Sequence, residues 1–300
     1  MFMGKARKIY KNIADVLYGR RIFSKIKDLN YFIYRKLLIP FVSVVDKKFF
    51  FIVGCYNSGT SLLNHLLGLH DEISSLATEG ISLTSYLCGP ESFGWNRMWH
   101  MCRDKLEIGR LEKKPSAELV KKEWGFWFDK SKRFWLEKSI VNSLNIDWFE
   151  ENFRHPYFIW IVRNGYAVSE GIQRRTLGKG KHPERFKEGY PIELCAQEWV
   201  VSNEVIERKL SFVQNFVKVT YEDLTENPVG TLKLILEWLP VERKEVNIPG
   251  EFTFQKQTRK IQNLNQTSIQ RLSPKQISCI NDVIGQMLIH HGYELIEVDL

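Results

Sequence analysis

The residues with the clearest potential for chemistry form a glycine-bounded loop at positions 54–61, with the sequence Gly-Cys-Tyr-Asn-Ser-Gly-Thr-Ser. The loop follows a short apolar run and precedes leucines at helical spacing. A helix N-terminus carries unpaired N–H groups and the positive end of the helix dipole, and both attract anions. The sequence therefore predicts a phosphate-binding loop between a buried strand and a helix.

The spacing of Gly54 and Gly59 is that of a P-loop, but one position differs. Thr60 stands where a Walker A sequence has the lysine that reaches the β- and γ-phosphates of ATP. This difference disfavours an ordinary kinase or NTPase, although a kinase on a related fold remains an alternative. Glycine turns between a strand and a helix are also common in α/β proteins, so the rest of the chain must decide.

Three more motifs follow the loop in order along the chain. They are Ile-Val-Arg-Asn-Gly at 161–165, Val-Thr-Tyr-Glu-Asp-Leu at 219–224 with Pro228 after it, and His-Gly-Tyr-Glu at 291–294. With the loop, they resemble the sulfotransferase family. Its members transfer the sulfuryl group of 3′-phosphoadenosine 5′-phosphosulfate to an acceptor hydroxyl or amine. The resemblance extends over most of the chain, which makes it more specific than a single motif.

The resemblance implies a binding residue at each motif. The loop would hold the 5′-phosphosulfate, Arg163 and Arg175 would hold the 3′-phosphate, and Tyr221 would belong to the nucleotide site. The loop positions concerned are Asn57, Ser58, Gly59, Thr60 and Ser61. Of the residues before the last helix, we expect at least one of Lys256, Lys260, Asn263 and Asn265 to contact the nucleotide.

Two positions depart from the family pattern. Asn57 replaces the usual basic residue of the loop, so the positive charge near the sulfate must come from elsewhere or be weaker. Gly171 stands where the family often has a serine that holds the 3′-phosphate. Ser169 is two residues away, about 200° around a helix, and is a poor substitute. These departures keep open a non-catalytic nucleotide-binding protein of the same fold.

Sulfuryl transfer needs a base for the acceptor hydroxyl and positive charge or hydrogen bonds on the leaving group. The resemblance points to Glu79 as the base and to Lys138 as the cation that contacts the bridging oxygen. No metal is required if lysine and backbone N–H groups supply this stabilisation. Glu137 is a structural partner of Lys138 or an alternative base, and Glu79 alone also fits a surface or capping role.

Regular elements must position these residues, and apolar runs indicate the strands. Continuous runs at 49–53, 157–162 and 216–219 are typical of strands buried in a parallel sheet. Helical patterns follow them, including one that starts at Pro228 and a last one capped by Ser273, Pro274 and Gln276. Strands that alternate with helices predict a P-loop-like three-layer α/β/α fold with a central parallel sheet and helical insertions.

The basic excess of the chain lies at its N-terminus. The net charge is +8, and residues 1–45 hold ten lysines and arginines against Asp15 and Asp28, so the rest is balanced. The basic net charge is therefore no evidence for a nucleic-acid-binding body, and we expect no nucleic-acid partner. We interpret residues 1–45 as a basic helical segment and residues 46–300 as the sulfotransferase domain. The segment packs on the domain as a solvated helix or contacts an anionic membrane surface.

The cysteines and the apolar segments indicate in which cellular compartment we expect the protein. The five cysteines are widely spaced, without a zinc-type pattern, which indicates reduced thiols. The apolar stretch at 37–45 is about half of the roughly 20 residues that a membrane-spanning helix needs. We expect a cytoplasmic protein that is peripheral to a membrane if residues 1–45 bind one.

A tryptophan-rich segment is a candidate for the lining of the pocket that binds the acceptor. Six of the nine tryptophans fall in residues 95–148, interleaved with lysines and arginines. We interpret residues 90–136 as a helical insertion that lines an acceptor pocket or, equally, as a subdomain whose aromatic residues are core. A carbohydrate hydroxyl is the first acceptor hypothesis, ahead of a protein tyrosine or a small hydroxylated metabolite.

Overall fold

The first strand, β1 (Lys48–Val53), forms from the apolar run that precedes the glycine loop. Its side chains from Phe49 to Val53 are buried, which requires cover on both faces. The structure is a computed structural model that describes residues 39–298, except 178–182, 184, 185, 187, 244–246, 249, 255 and 256. Most of the predicted basic segment, residues 1–38, lies outside the described residues.

The central sheet is parallel and has the order β2-β3-β1-β4-β5. The other strands are β2 (Ile73–Ser75), β3 (Phe134–Glu137), β4 (Tyr157–Val162) and β5 (Phe216–Thr220). The three strands predicted from apolar runs are confirmed as β1, β4 and β5. The sequence did not predict β2 or β3. Strand β3 falls at the end of the insertion expected to be helical and lies beside β1, with Phe51 opposite Glu137.

Helices follow the strands as the alternating pattern predicted, and the chain also contains several short 3-10 helices. The α-helices are α1 (Thr60–Leu67), α2 (Arg103–Leu106), α3 (Ala117–Trp127), α4 (Ile146–Asn152), α5 (Gly165–Thr176), α6 (Ile192–Leu210), α7 (Tyr221–Glu226), α8 (Pro228–Trp238), α9 (Asn265–Ile269) and α10 (Pro274–His290). The 3-10 helices are Ile39–Phe41, Gly80–Leu83, Pro90–Phe93, Trp99–Cys102, Ile108–Arg110 and Ile140–Leu144. An antiparallel hairpin, β6 (Glu251–Phe254) with β7 (Gln257–Lys260), precedes α9.

Alternate side chains of β1 face opposite sides of the sheet. Phe50 and Ile52 join an apolar cluster with the leucines of α1 and the inner face of α8. Phe51 packs on the other side, where its ring centroid lies 4.3 Å from that of Phe149 and 5.4 Å from that of Phe153. Helices therefore cover both faces, and the predicted three-layer α/β/α arrangement is confirmed.

Most tryptophans of the tryptophan-rich segment belong to the core. Trp99, Trp124 and Trp135 are fully buried, and Trp148 is nearly so. Trp124 donates its Nε1–H to the carbonyl oxygen of Gly80. Of the two interpretations of this segment, the structure supports the core for these side chains. In the described part of the chain, no helix is both long enough and apolar enough to span a membrane.

Candidate functional site

The five parallel strands end at one edge of the sheet, and the predicted site residues follow those ends. The loop at 54–61 follows β1, Lys138 follows β3, Arg163 follows β4 and Tyr221 follows β5. Glu79 lies four residues beyond the end of β2. Because the carboxyl ends of parallel strands face the same way, these residues lie at one edge of the sheet, which is where open α/β sheets bind ligands.

The backbone of the glycine loop adopts two left-handed conformations. Asn57 has a φ of 61° and Gly59 a φ of 91°. A Cβ at Gly59 would lie 2.6 Å from the ring of Tyr221, so the second glycine is required by both its conformation and its neighbour. The loop therefore makes a tight turn into α1 and rests on Tyr221.

The N-terminus of α1 has the properties of an anion site. Among the described residues, no side chain caps it. The hydroxyl of Ser58 is buried and lacks a hydrogen-bond partner in the described structure, and Thr60 is also buried. A buried hydroxyl without a partner is uncommon in folded proteins. Open N–H groups and an unused hydroxyl fit a phosphate-bearing ligand.

Arg163 connects the loop to the C-terminal part of the chain. Its Nη1 donates to the carbonyl oxygen of Asn57 at 2.7 Å, and its Nε donates to Oδ1 of Asn265 at 2.8 Å. Its guanidinium carbon lies 4.1 Å from the ring centroid of Tyr221. Burial lowers the pKa of Arg163. This buried cation holds the shape of the loop and places positive charge beside it.

Tyr221 and Glu222 form hydrogen bonds that join distant segments of the chain. The Tyr221 hydroxyl donates to the carbonyl of Gln262 and accepts from the N–H of Leu264. Glu222 accepts from the N–H of Asn164, from Nδ2 of Asn265 at 2.5 Å and from the hydroxyl of Tyr293. Glu222 thus joins the ends of β4 and β5 to the segments around α9 and α10. The motif in the sequence had indicated a site here, without these partners.

Of the four residues expected to contact the nucleotide before the last helix, Asn265 lies closest to the loop through its bond to Arg163. Asn263 instead donates to Glu226. Lys260 is exposed at the end of β7, and Lys256 lies outside the described residues. Asn265 therefore joins the site.

Helix α5 begins beside Arg163, but Arg175 lies in its last turn. Ten residues of helix place Arg175 about 15 Å along the axis from Gly165. The side chain of Arg175 is exposed. Ser169 is fully buried, and its hydroxyl donates to the carbonyl of Gly165 at 2.7 Å. The structure thus places Arg163 at the loop and Arg175 in the last turn of α5, while the hydroxyl of Ser169 is already used.

Glu79 and Lys138 form an ion pair at the carboxyl edge. Nζ of Lys138 lies 2.8 Å from Oε1 of Glu79, and the two side chains are 11% and 32% exposed. The predicted base and the predicted cation are therefore neighbours, although 59 residues separate them in the sequence. In such a pair, the carboxylate can accept a proton while the neighbouring ammonium stabilises a developing negative charge.

Glu137 lies beneath this pair and is fully buried. Its Oε1 accepts from the N–H of Gly80 at 2.6 Å and from the hydroxyl of Ser139, and its Oε2 accepts from the amide of Asn142. Burial raises the pKa of Glu137 to about 7. Of its two predicted roles, the structure favours the structural one, because these bonds fix the turn that carries Glu79.

The two departures from the family pattern are in contact. A Cβ on Gly171 would lie 3.1 Å from Nδ2 of Asn57. The other side of Asn57 meets Arg97, whose Nη1 is 3.4 Å from Oδ1 of Asn57. The sequence placed Arg97 only among the basic residues of the tryptophan-rich segment, and no pattern connects it to a loop 40 residues earlier.

The described residues contain no cluster of His, Cys, Asp and Glu suited to a metal ion. The five cysteines are free thiols. At this edge, the loop with the open end of α1 and Arg163 fits a nucleotide with anionic groups. The Glu79–Lys138 pair fits a proton transfer beside it.

Comparison with known proteins agrees with this geometry. The model of the sulfotransferase family matches residues 50–245, which include the loop, Glu79, Lys138, Arg163 and Tyr221. No curated protein sequence matches the chain.

Several solved structures have a similar fold. A sulfotransferase domain from the curacin biosynthetic pathway has 19% sequence identity and a TM-score of 0.50, covering 83% of this chain and 99% of that chain. The sulfotransferase domain of the Synechococcus PCC 7002 olefin synthase has 19% identity and a TM-score of 0.49, covering 80% of this chain and 96% of that chain. A mouse sulfotransferase complexed with PAP has 14% identity and a TM-score of 0.43, covering 81% of this chain and 85% of that chain.

Proposed function

The chain belongs to the sulfotransferase family, and on that premise we propose that it transfers the sulfuryl group of 3′-phosphoadenosine 5′-phosphosulfate to an acceptor hydroxyl. The observation that supports this most is the arrangement at the carboxyl edge. An anion-binding loop braced by buried Arg163 lies at the same edge as the Glu79–Lys138 pair. No other part of the described chain combines these features.

The protein residues have separate roles in this proposal. The N–H groups at the start of α1, with the hydroxyls of Ser58, Thr60 and Ser61, hold the 5′-phosphosulfate. Arg163 holds the 3′-phosphate, with Asn265 fixing its guanidinium. Arg175 remains a candidate second contact, which would require its long side chain or helix α5 to turn toward the nucleotide. Tyr221 supports the loop from below.

The bound donor supplies an electrophilic sulfur and a phosphate leaving group. Glu79 takes the proton of the acceptor hydroxyl, and the acceptor oxygen forms a bond to sulfur as the bond from sulfur to the bridging phosphate oxygen breaks. Adenosine 3′,5′-bisphosphate leaves with the electron pair, and the ammonium of Lys138 stabilises the charge on its oxygen. The contact between Lys138 and Glu79 keeps both groups at the reacting centre.

For the acceptor, we propose a carbohydrate hydroxyl first. Trp95 and Trp127 are half-buried, and aromatic rings of this kind stack on sugar faces. The ring of Trp95 also packs on the rings of Phe186 and Tyr190. Basic residues between them favour an acidic sugar. A protein tyrosine or a small hydroxylated metabolite is the alternative. A screen with sulfated product detected by mass spectrometry would rank these classes.

We also propose a role for residues 1–45 as a contact with anionic membrane. The support is the location of the whole net charge in this segment. Free thiols at all five cysteines accord with a reducing, cytoplasmic compartment.

The first test is calorimetric binding of adenosine 3′,5′-bisphosphate, beside 5′-AMP and ATP, without metal. The proposal expects a marked preference for the bisphosphate, which Arg163→Ala loses and Arg163→Lys partly keeps. Arg154→Ala is the matched control, because Arg154 is exposed and precedes β4 at the opposite edge of the sheet. Equal affinity for the three nucleotides would contradict the proposal.

Two outcomes would indicate the alternative functions. Tight binding of the bisphosphate without transfer to any acceptor would indicate a non-catalytic member of the family. Magnesium-dependent hydrolysis of ATP would indicate a kinase-like enzyme, against which the missing Walker lysine counts.

A further inference from the structure

The loop lacks a positive charge of its own where the transferring group would lie. Position 57 carries a neutral amide, and the buried cation Arg163 directs its Nη1 at the carbonyl oxygen of Asn57 rather than outward. An anionic ligand at the tip of the loop would therefore depend on a cation from another segment.

Arg97 is such a cation, and it lies beside Tyr56 and Asn57 of the loop. Its Nη1 lies 3.4 Å from Oδ1 of Asn57, and its guanidinium carbon lies 5.7 Å from the ring centroid of Tyr56. These two contacts hold the guanidinium across consecutive loop residues. At 3.4 Å the hydrogen bond to the amide is long, so an anionic oxygen would be a better acceptor for the same N–H group.

The segment that carries Arg97 is firmly anchored. Met98 and Trp99, which follow it, are fully buried. The N–H and Nδ1 of His100 both contact Oε2 of the buried Glu198 in α6. Arg97 itself has a φ of 58°, an uncommon conformation for a residue with a side chain. Strain that is kept by anchored neighbours is often found at functional sites.

Asn57 complements Arg97. Its Nδ2 is buried without a described partner, and Gly171 leaves room for this amide because a Cβ there would lie 3.1 Å away. A lysine at position 57 would put a second cation against Arg97, whereas the neutral amide accepts a hydrogen bond from it. A single cation beside residue 57 of the loop is therefore sufficient, and either residue 57 itself or residue 97 can supply it.

We propose that Arg97 supplies the positive charge that the loop lacks at Asn57 and binds the anionic phosphosulfate end of the donor. This inference rests on the sulfotransferase function proposed above. It assigns a binding residue from outside the loop to that function.

The electrostatics around Tyr56 agree with this placement. Burial is the main reason that the pKa of Tyr56 lies well above its usual range, and Glu198, Glu91 and Glu79 raise it further. Arg97 acts in the opposite direction. Arg97 and Glu79 thus act on the pKa of the same side chain in opposite directions.

The test compares Arg97→Gln, Arg97→Lys and the double variant Arg97→Gln with Asn57→Lys. Glutamine keeps an N–H donor on a shorter side chain and removes the charge, whereas Arg97→Lys keeps the charge and loses the fork of the guanidinium. Calorimetry with adenosine 3′,5′-bisphosphate gives the affinity, and a thermal melt of each variant checks folding. Arg154→Gln is the matched control at an exposed arginine.

We expect Arg97→Gln to raise the Kd for the bisphosphate about tenfold and Arg97→Lys to raise it less. The double variant should return to within about threefold of the wild type, because the cation is restored from inside the loop. Wild-type affinity in Arg97→Gln, with the wild type itself binding the bisphosphate, would overturn this inference and leave the proposed function intact. A loss that Asn57→Lys does not repair would also overturn it, in favour of a structural role. If the wild type does not bind the bisphosphate, the proposed function fails and this inference fails with it.

Discussion

Glu137 is a carboxyl group in a place that usually excludes charge. It is fully buried at the end of β3, and desolvation raises its pKa to about 7 despite hydrogen bonds from Gly80 and Ser139. The same bonds fix the residues that directly follow Glu79 and Lys138 in the sequence, Gly80 and Ser139. The site therefore rests on a group whose ionisation state changes near neutral pH.

The first prediction concerns this pH dependence. The folded pKa of Glu137 is above its unfolded value, so its contribution to stability is fully present below about pH 4.5 and is lost as the pH rises to about 7. Relative to Glu137→Gln, the wild type should lose roughly 3 kcal/mol of unfolding free energy over that range. Urea denaturation of both proteins at several pH values measures this difference. A constant difference across the range would contradict a shifted pKa.

Glu79 gives a second prediction at this scale. Glu79→Gln keeps a group that can bond to Lys138 but removes the proton acceptor, so transfer should fall at least about 100-fold. Affinity for adenosine 3′,5′-bisphosphate should stay within a few-fold, because Glu79 is not part of the loop. Single-turnover assays and calorimetry measure the two quantities. Wild-type turnover in this variant would remove Glu79 from the mechanism.

At the scale of elements, the long apolar runs were sufficient to predict β1, β4 and β5. Strand β2 has three residues, two of them serines, which is too short for a pattern. Strand β3 ends at the buried Glu137 and follows several lysines and an arginine, so its sequence resembles part of a basic segment. Strand β3 is buried by neighbours from distant parts of the chain, and the local spacing of residues carries no information about such neighbours.

The last helix was predictable because its start is encoded locally. Ser273 accepts from the N–H of Gln276, and the Gln276 side chain accepts from the N–H of Ser273, which completes the predicted capping box. Ser273→Ala should lower the unfolding free energy by about 1 kcal/mol.

Ser278→Ala, within the same helix, is the matched control for the cap. Alanine is a better helix former than serine, so this variant should be neutral or slightly stabilising. Thermal or urea unfolding compares the two variants. Equal effects would mean that the cap does not contribute to stability.

The candidate site was predictable where one residue type is required at one motif position. Gly59 and Arg163 are examples, since the loop needs a left-handed glycine and a cation after β4. Asn265, Glu222 and Arg97 reach the site through contacts with residues 40 or more positions away. The sequence reading anticipated Asn265 only as one of four options, because a single sequence does not encode which distant polar side chains meet.

At the scale of the whole molecule, charge is unevenly distributed. All of the net charge of +8 comes from residues 1–45, so a membrane contact should depend on that segment. Replacing Lys5, Arg7, Lys8 and Lys11 with glutamine in the full chain should reduce sedimentation with anionic phosphatidylserine vesicles at least fivefold. Neutral vesicles should bind neither protein.

The control variant carries the same number of changes elsewhere. Lys113, Lys114, Lys233 and Lys275 are exposed in the charge-balanced part of the chain. Their replacement by glutamine should leave vesicle binding near the wild-type level. Equal losses in the two variants would attribute the contact to total charge and not to the segment.

Arg163 also has a consequence for how the protein folds. Its two hydrogen bonds join residues 106 and 102 positions apart in the sequence, and the sheet is parallel throughout. Contacts of such long range form late, after most of the entropy of loop closure has been overcome. We therefore expect the proposed nucleotide site to become complete only in the last stage of folding. Recovery of nucleotide binding after dilution from denaturant would then report the formation of the native structure.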